Sequence, residues 1–334
     1  MTAQLNVRPG RPGSRIMSVG SYRPARVVDN HEISARIDSS DEWIRERSGI
    51  VTRHFAAPDE SVTDMALAAS SKALASAGIA PEQVGMVLVA TVTHPYQTPS
   101  SAAELAFRLG ALDAGALDVA AACAGFCYAV GLADTIVRTG SSDYVLVVGV
   151  EKLSDFLNLD DRGSAFIFGD GAGAVVVGPS DHPGIGPVVW GADGGQKDAI
   201  TMTQSWAEYR THPAEEFPTL VMAGQQVFRW AVGEVGKVCR AALDAAGVTA
   251  DDLVAFIPHQ ANMRITDAIV RSLKLPEHVV IARDIETTGN TSAASVPLAL
   301  DRLVETGQVP SGGLALLVGF GAGLAYAAQV VELP

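Results

Sequence analysis

Apolar runs alternate along the chain with segments that begin and end like helices. The run Met86–Val92 is continuously apolar, as expected of a strand buried on both faces. Ser61-Val62-Thr63-Asp64 forms a capping box, which predicts a helix that begins there and ends at Gly78. This alternation predicts an α/β protein whose sheets are covered by helices.

The same unit of structure occurs twice. Residues 73–91 and 242–260 each contain a helix end, a glycine, an acidic turn and an apolar strand, in the same order. The glycine-rich segments at 169–173 (GDGAG) and 319–323 (GFGAG) also match, but they lie closer together in sequence than the first pair, which predicts an extra segment in the first copy near residues 150–168. We therefore predict a flexible N-terminal arm over 1–14 and two duplicated α/β halves over 15–180 and 181–334.

Composition and charge exclude several classes of protein. The chain has 334 residues, of which 48% are hydrophobic, and a net charge of −13. This charge argues against a nucleic-acid partner, which needs a basic surface. Three cysteines without zinc-ligand spacing predict no disulfide framework, no metal and a cytoplasmic location, and two of them, Cys127 and Cys239, are interpreted as structural. No apolar run approaches the ~18 residues of a membrane span, and residues 1–15 lack the apolar core of a signal peptide.

Three polar residues stand where α/β proteins place chemistry. Cys123 follows an apolar strand and precedes a helix, where the helix dipole and free N–H groups favour a thiolate and can hold an oxyanion. His259 follows an apolar strand, at the end of the strand where ligands bind. Asn290 precedes the last long helix. Alignment of the two helix ends at Gly140 and Gly307 predicts that Asn290 superposes on Cys123 across a pseudo-twofold axis.

The glycine-rich segments do not match a dinucleotide fingerprint, because both lead into strands. The loop Gly321-Ala322-Gly323 can instead bring its backbone close to a substrate and offer an N–H to an oxyanion. A cysteine nucleophile suits thioester exchange, and a neutral histidine with an amide suits a developing oxyanion. On this interpretation no carboxylate is needed.

These motifs resemble β-ketoacyl-acyl-carrier-protein synthase III of the thiolase superfamily. The resemblance covers about residues 15–334 and is carried by AACAGF around Cys123, PHQAN at His259, GNTSAAS at Asn290, the terminal GFGAG, and SDEWI with RSGI near residue 45. It implies a five-layered αβαβα body, a homodimer and no cofactor. It also implies that Cys123 accepts an acyl group from acyl-CoA. His259 and Asn290 then stabilise the enolate formed from malonyl-acyl-carrier protein.

The resemblance also implies binding residues. Trp43, Arg47 and Arg162 match positions that hold the adenine and phosphates of CoA. Thr98 stands where some relatives carry a phenylalanine that narrows the acyl pocket of the partner subunit, so a branched or longer primer is expected. Carrier-protein docking is expected on a helix predicted to run to Leu275, with Arg264 and Arg271 on one basic stripe that Lys274 extends; the docking residues are Gln260, Ala261, Asn262, Met263, Arg264 and Arg271.

Four alternatives stay open at the level of sequence. A priming ketosynthase of a polyketide pathway would use the same chemistry with a different carrier protein. An acyltransferase without condensation would have no need of an enolate, so His259 and Asn290 argue against it. A Cys-His-Asn hydrolase is permitted by chain order and would turn over acyl-CoA alone. A scaffold without activity would have no reason to keep these three polar residues.

Overall fold

The computed structural model describes residues 5, 6, 8–212 and 216–334. Its first part consists of β1 (Gly13–Tyr22), β2 (Arg26–Asp29), α1 (Asn30–Ser34), α2 (Asp41–Ser48), β3 (Thr52–Phe55), α3 (Val62–Ala77), β4 (Val84–Ala90), α4 (Ser101–Leu109), β5 (Gly115–Val119), α5 (Gly125–Arg138), β6 (Tyr144–Glu151) and β7 (Gly171–Ser180). Its second part consists of β8 (Val189–Ala192), β9 (Ile200–Met202), α6 (Trp206–Thr211), β10 (Leu220–Met222), α7 (Gly224–Ala246), β11 (Leu253–Pro258), α8 (Met263–Leu273), β12 (Val280–Ile281), α9 (Ile285–Thr288), α10 (Ser295–Glu305), β13 (Leu314–Gly321) and β14 (Ala325–Glu332).

Two five-stranded sheets share one strand order and one pattern of directions. The first is ordered β1-β7-β6-β4-β5 and the second β8-β14-β13-β11-β12. In the first sheet β4 is parallel to β5 and β6, while β6–β7 and β7–β1 are antiparallel. In the second sheet β11 is parallel to β12 and β13, while β13–β14 and β14–β8 are antiparallel. The predicted duplication is therefore confirmed.

Helices and sheets form five layers. Helices α3 and α4 cover the outer face of the first sheet with Met65, Leu74 and Leu105. The central helices α5 and α10 lie between the sheets, where Phe126 and Leu300 pack in one buried core with residues of both sheets. Helices α7 and α8 cover the outer face of the second sheet. This is the predicted αβαβα arrangement, and it brings the ends of α5 and α10 together in the middle of the molecule.

Local signals explain several boundaries. Ser61 and Asp64 cap α3 reciprocally, and Gly78 ends it in a left-handed conformation, as predicted. The extra segment predicted in the first copy lies between β6 and β7, over residues 152–170, whereas only a short turn joins β13 to β14. This segment supplies part of the wall of the central cavity described below.

The predicted superposition of Asn290 on Cys123 is wrong. Ala122 and Ser292 both have positive φ angles, of 46° and 48°, and each begins a short 3-10 turn that leads into a central helix. Ala122 is therefore the structural equivalent of Ser292, and the equivalent of Cys123 is Ala293. Asn290 instead lies before its turn, in the segment that follows Gly289.

The N-terminal arm lies partly outside the described residues, which exclude 1–4 and 7. Of the rest, the Arg11 backbone N–H donates to the Arg138 carbonyl at 2.8 Å, and β1 begins at Gly13. The boundaries at residues 14 and 180 stay predictions. Within the described ranges, no helix is both long and apolar enough to cross a bilayer.

Candidate active site

A cavity of about 950 Å³ lies where the central helices begin. Cys123, His259 and Asn290 all line it, so three residues far apart in sequence meet at one place. Gly321 and Ala322 line it as well, whereas Gly323 does not. The arrangement follows from the fold, because β11, β13, α5 and α10 all end or begin at this level.

Cys123 lies in the 3-10 turn between β5 and α5 and is 9% exposed. Its own backbone N–H and that of Ala322 lie close enough to its sulfur to lower the pKa of the thiol. The backbone of Gly321 comes so close that a Cβ there would lie 2.8 Å from the Cys123 sulfur. Two N–H groups beside one sulfur atom are the kind of donors that a thioester oxyanion formed there would need.

The helix N-terminus does not by itself decide the ionisation state of Cys123. Burial raises its pKa to about 12, although the nearby Ser292 hydroxyl and two backbone N–H groups lower the pKa in part. The nearby Glu151 carboxylate raises the pKa further. Desolvation therefore outweighs the helix N-terminus, and the site holds a thiol at neutral pH. Cys127, also fully buried, has its pKa raised to about 12 by burial.

His259 follows β11 directly and is buried. Burial lowers its pKa to about 3, so the imidazole is neutral at pH 7. Its Nδ1 lies 2.7 Å from the Ser295 hydroxyl, which also accepts the Gln260 backbone N–H at 3.3 Å. In the tautomer in which Nδ1 is unprotonated, it accepts the Ser295 hydroxyl hydrogen. The imidazole proton then lies on Nε2, which can donate to a substrate oxygen.

Asn290 is clamped through its main chain. Its N–H donates to the Ile167 carbonyl at 2.9 Å, and its carbonyl accepts the Gly169 N–H at 3.0 Å. Its Oδ1 accepts the Ser292 backbone N–H at 2.8 Å, which leaves the amide nitrogen as the donor side of the group. Gly169 is required for this contact, because a Cβ there would lie 2.4 Å from the Thr288 carbonyl oxygen.

The three residues expected to bind CoA lie together at the cavity wall. The Arg162 guanidinium lies 5.0 Å from the centre of the Trp43 ring, and that of Arg47 lies 5.8 Å from it. Trp43 also packs edge-on against Phe166, with ring centres 5.2 Å apart. All four residues line the cavity. A half-buried indole flanked by two cations can bind an aromatic base and its phosphates.

Thr98 is exposed and does not line the cavity of its own chain, although Gln97 and His94 of the same loop do. A residue that contributes to the pocket of a partner subunit would have to be exposed in a single chain. The expected role of Thr98 stays a prediction.

The expected docking residues have different environments. Gln260 is buried, and its side chain bonds the Pro258 carbonyl, the Ala282 carbonyl and the Ile285 N–H, so it is not available to a docking protein. Ala261 and Asn262 line the cavity, and Asn262 caps α8 through the Arg264 N–H. Met263 is half-buried and contacts Arg283.

The basic stripe is shorter than predicted. Helix α8 ends at Leu273, and Lys274 caps it in a left-handed conformation with φ of 52°. Lys274 therefore does not continue the helical face. Arg264 is exposed at the cavity, with its guanidinium 5.4 Å from the centre of the Phe228 ring, and Arg271 is exposed two turns further along α8.

Two polar residues near Cys123 were missed by the sequence analysis. Ser292 lines the cavity beside Cys123, and its hydroxyl donates to Glu151 at 3.1 Å. Glu151 is fully buried at the end of β6. A signal was present, because Glu151 is a charged residue that ends an apolar strand, the same position that drew attention to His259.

The layered fold and this site define a thiolase-like condensing enzyme. Models of this family match the chain twice: 3-oxoacyl-[acyl-carrier-protein] synthase III matches residues 117–194, and the C-terminal part of the same synthase matches residues 243–333. The β-ketoacyl-[acyl-carrier-protein] synthase III of Streptomyces glaucescens is 58% identical over 99% of this chain and 100% of its own. Synthase III 1 of Streptomyces coelicolor is 57% identical, with the same coverage.

Solved structures of the same family have the same fold as this chain. The priming β-ketosynthase of the R1128 polyketide biosynthetic pathway has a TM-score of 0.97 and 53% identity, with 99% of each chain covered. The synthase III of Thermus thermophilus has a TM-score of 0.88 and 39% identity, with 96% of this chain and 99% of the other covered. The chain belongs to the β-ketoacyl-[acyl-carrier-protein] synthase III family. The resemblance inferred from the motifs is confirmed, and the protein is an acyltransferase of the condensing type.

Proposed function

We propose that this enzyme joins an acyl group from acyl-CoA to malonyl-acyl-carrier protein and so begins fatty acid synthesis. The observation that carries the proposal is the convergence of Cys123, His259 and Asn290 on one cavity. The reaction needs no cofactor or metal beyond its two substrates. A cytoplasmic location, expected from the cysteine content, belongs to the same proposal.

In the first half-reaction Cys123 attacks the acyl thioester. The thioester oxygen receives hydrogen bonds from the backbone N–H groups of Cys123 and Ala322, which lie near the sulfur. Acyl-CoA enters with its base against Trp43, Arg47 and Arg162, and CoA leaves by the same route. The acyl group stays on the Cys123 sulfur.

In the second half-reaction malonyl-acyl-carrier protein loses carbon dioxide. The resulting enolate oxygen accepts hydrogen bonds from His259 Nε2 and from the Asn290 amide nitrogen. Both donors are neutral, which suits a negative charge that forms and then disappears in a buried site. The enolate carbon attacks the acyl-cysteine and releases the β-ketoacyl product.

An acidic carrier protein would dock at Arg264 and Arg271. Arg264 lies at the cavity, and both residues are exposed on α8. The positive charge of these two residues counters the net charge of −13 locally, on the helix that follows His259 in sequence.

We also propose a homodimer. Strand β5 forms the edge of the first sheet, and Leu117 on it is 42% exposed. Next to it in sequence, Phe107 and Leu112 are 73% and 71% exposed. An open strand edge beside exposed apolar side chains suits pairing with β5 of a second copy. In such a dimer, Thr98 on its exposed loop would approach the second copy. Light scattering in solution tests this state.

The proposed reaction is tested by incubating the enzyme with acyl-CoA and malonyl-acyl-carrier protein and measuring the mass of the carrier protein. We expect a β-ketoacyl-carrier protein to form only when both substrates are present. Steady release of free acid from acyl-CoA alone would instead identify a hydrolase.

A priming ketosynthase of a polyketide pathway is the second candidate. It is favoured by the likeness to the R1128 priming β-ketosynthase, with a TM-score of 0.97. The chemistry is the same, so the discriminating measurement is kcat/KM with a fatty-acid carrier protein against that with a polyketide carrier protein.

A further inference from the structure

The Cys123 thiol must lose its proton when it attacks a thioester, and the resting site holds it protonated. His259 is a neutral donor whose Nδ1 is bonded to Ser295, and its proposed role is to hold the enolate. The first half-reaction therefore needs another group to receive the thiol proton.

Glu151 has the geometry of such a group. Its Oε2 is anchored by three donors: the Thr93 hydroxyl at 2.7 Å, the Val92 N–H at 3.1 Å and the Thr91 hydroxyl at 3.2 Å. Among the described residues, Oε1 has a single hydrogen-bond partner, the Ser292 hydroxyl at 3.1 Å. The carboxylate is thus held firmly at one oxygen and directed at Ser292 with the other.

Ser292 connects the carboxylate to the nucleophile. Both Ser292 and Cys123 line the cavity, the two 3-10 turns that carry them pack against each other, and the Ser292 side chain is close enough to act on the pKa of Cys123. A hydroxyl group can accept one proton while it donates another. The Ser292 hydroxyl therefore lies beside the Cys123 sulfur and is bonded to the Glu151 carboxylate, which is the order that a proton relay needs.

We propose that Glu151 takes the thiol proton of Cys123 through the Ser292 hydroxyl as Cys123 attacks the acyl thioester. This inference rests on the proposed function. The thiol proton passes to Ser292 Oγ while the Ser292 hydrogen passes to Oε1. The sulfur lone pair forms the S–C bond, and the bond between carbon and the CoA sulfur breaks. CoA leaves as a thiolate and takes a proton from water.

The second half-reaction reverses the transfer. Decarboxylation leaves an electron pair in the enolate, which forms the new C–C bond and expels the Cys123 thiolate. That thiolate recovers the proton from Glu151 through Ser292, so the resting thiol and carboxylate are restored. In the acyl-enzyme Glu151 holds this proton, so the buried carboxyl group is neutral and leaves no unpaired charge in the site.

Neighbouring charged groups do not replace Glu151 in this role. Lys152 follows it, but the ammonium bonds the Ala57 and Pro58 carbonyls at 3.1 and 3.3 Å and pairs with Asp155. Apart from burial, the described groups that shift the pKa of Glu151 are Thr93, Val92, Ser292 and Thr91, none of which titrates in this range. Cys123 is the titratable group coupled to it.

The pH dependence has a definite sign. Burial raises the pKa of Glu151 to about 7, so the carboxylate is ionised and able to accept a proton above that pH. Self-acylation of the wild-type enzyme should therefore rise with pH and level off above about pH 7.

The test measures the rate constant of self-acylation by rapid quench and intact mass, with acetyl-CoA and isobutyryl-CoA, from pH 5.5 to 9. Glu151→Gln keeps the side-chain shape but accepts no proton, and a positioned base contributes roughly 10²- to 10⁴-fold. In Glu151→Gln we expect the rate constant of self-acylation to fall at least roughly 100-fold and the inflection near pH 7 to disappear. Glu151→Asp retains a carboxylate. This variant should therefore acylate more slowly than the wild type but keep the inflection in its pH profile.

Ser292→Ala gives a second variant that is compatible with the backbone, because Ala122 has nearly the same φ at the equivalent position. The double variant with Glu151→Gln should be no slower than either single variant, since both interrupt one path. Asp170→Asn is the matched control: this carboxylate is also buried, but it bonds Ser154 and the Ala56 N–H instead of Ser292. It should keep the inflection.

The inference would be overturned if the double variant lost as much acylation rate as the two single variants together, or if Glu151→Gln retained the wild-type pH profile. Either result would leave the condensation reaction intact. A wild-type enzyme that is not acylated at all would instead refute the proposed function.

Discussion

Gly321→Ala should disable the nucleophile without disturbing the backbone conformation. The φ of Gly321 is 174°, which any residue can adopt, so backbone strain is not the issue. The added Cβ would lie 2.7 Å from the Cys123 Cβ and 2.8 Å from its sulfur, whereas non-bonded carbon atoms prefer about 3.5–4.0 Å. Cys123 must therefore move by roughly 1 Å, at an overpacking cost of about 1–3 kcal/mol.

The consequence for activity is larger than that for stability. A misplacement of about 1 Å at a reacting group can cost roughly 10²-fold in rate. We expect self-acylation by acyl-CoA to fall by about this factor, measured by intact mass over time, while urea unfolding shows a loss of about 1–3 kcal/mol.

Gly233→Ala provides the matched control. Gly233 is exposed in α7, and a Cβ there would contact nothing within 4 Å. Alanine in an exposed helix should stabilise the protein by about 0.5–1 kcal/mol and leave acylation unchanged. A Gly321→Ala enzyme that acylates at the wild-type rate would refute the close approach of this loop to the nucleophile.

Four further predictions concern the other site residues. His259→Ala and Asn290→Ala should each still form the acyl-enzyme but lose about 10²- to 10³-fold in condensation, measured as carrier-protein product, and normal condensation would remove that residue from the mechanism. Because the pKa of His259 is lowered to about 3, condensation should show no inflection from this residue between pH 5 and 9. Thr98→Phe should shift primer choice towards acetyl-CoA in competition assays, and an unchanged profile would exclude it from the pocket. Arg264→Glu with Arg271→Glu should raise KM for malonyl-carrier protein and not the self-acylation rate, and the wild-type KM should rise with salt because exposed charges are screened over about 8–10 Å. Indifference of the carrier-protein KM to charge reversal and to salt would contradict docking at α8.

The sequence predicts those parts of the fold that depend on local or repeated signals. The capping box at Ser61 and the glycine stop at Gly78 set the ends of α3 where the structure has them. The repeat predicts two equivalent sheets because both copies keep the same order of helix ends and strands. The gathering of Cys123, His259 and Asn290 follows, since all three occur at element ends that the duplication brings together.

Other features depend on three-dimensional distance and could not be predicted. The alignment of the two copies at the distant helix ends Gly140 and Gly307 does not hold at the turn that carries Cys123, because α5 has 14 residues and α10 has only 11. The helix N-terminus suggested a thiolate, but burial decides the pKa and is not visible in a motif. Glu151 was missed because its partner Ser292 is far away in sequence.

The central claim is that the acyl group is carried by Cys123 and passed to malonyl-carrier protein. The most direct test incubates the enzyme with a labelled acyl-CoA, maps the labelled peptide by mass spectrometry, and then adds malonyl-carrier protein. We predict label on the Cys123 peptide, no label in Cys123→Ser, and transfer of the label to a β-ketoacyl-carrier protein with release of carbon dioxide. Label on Cys127 or Cys239, or label on Cys123 that malonyl-carrier protein does not discharge, would contradict the account.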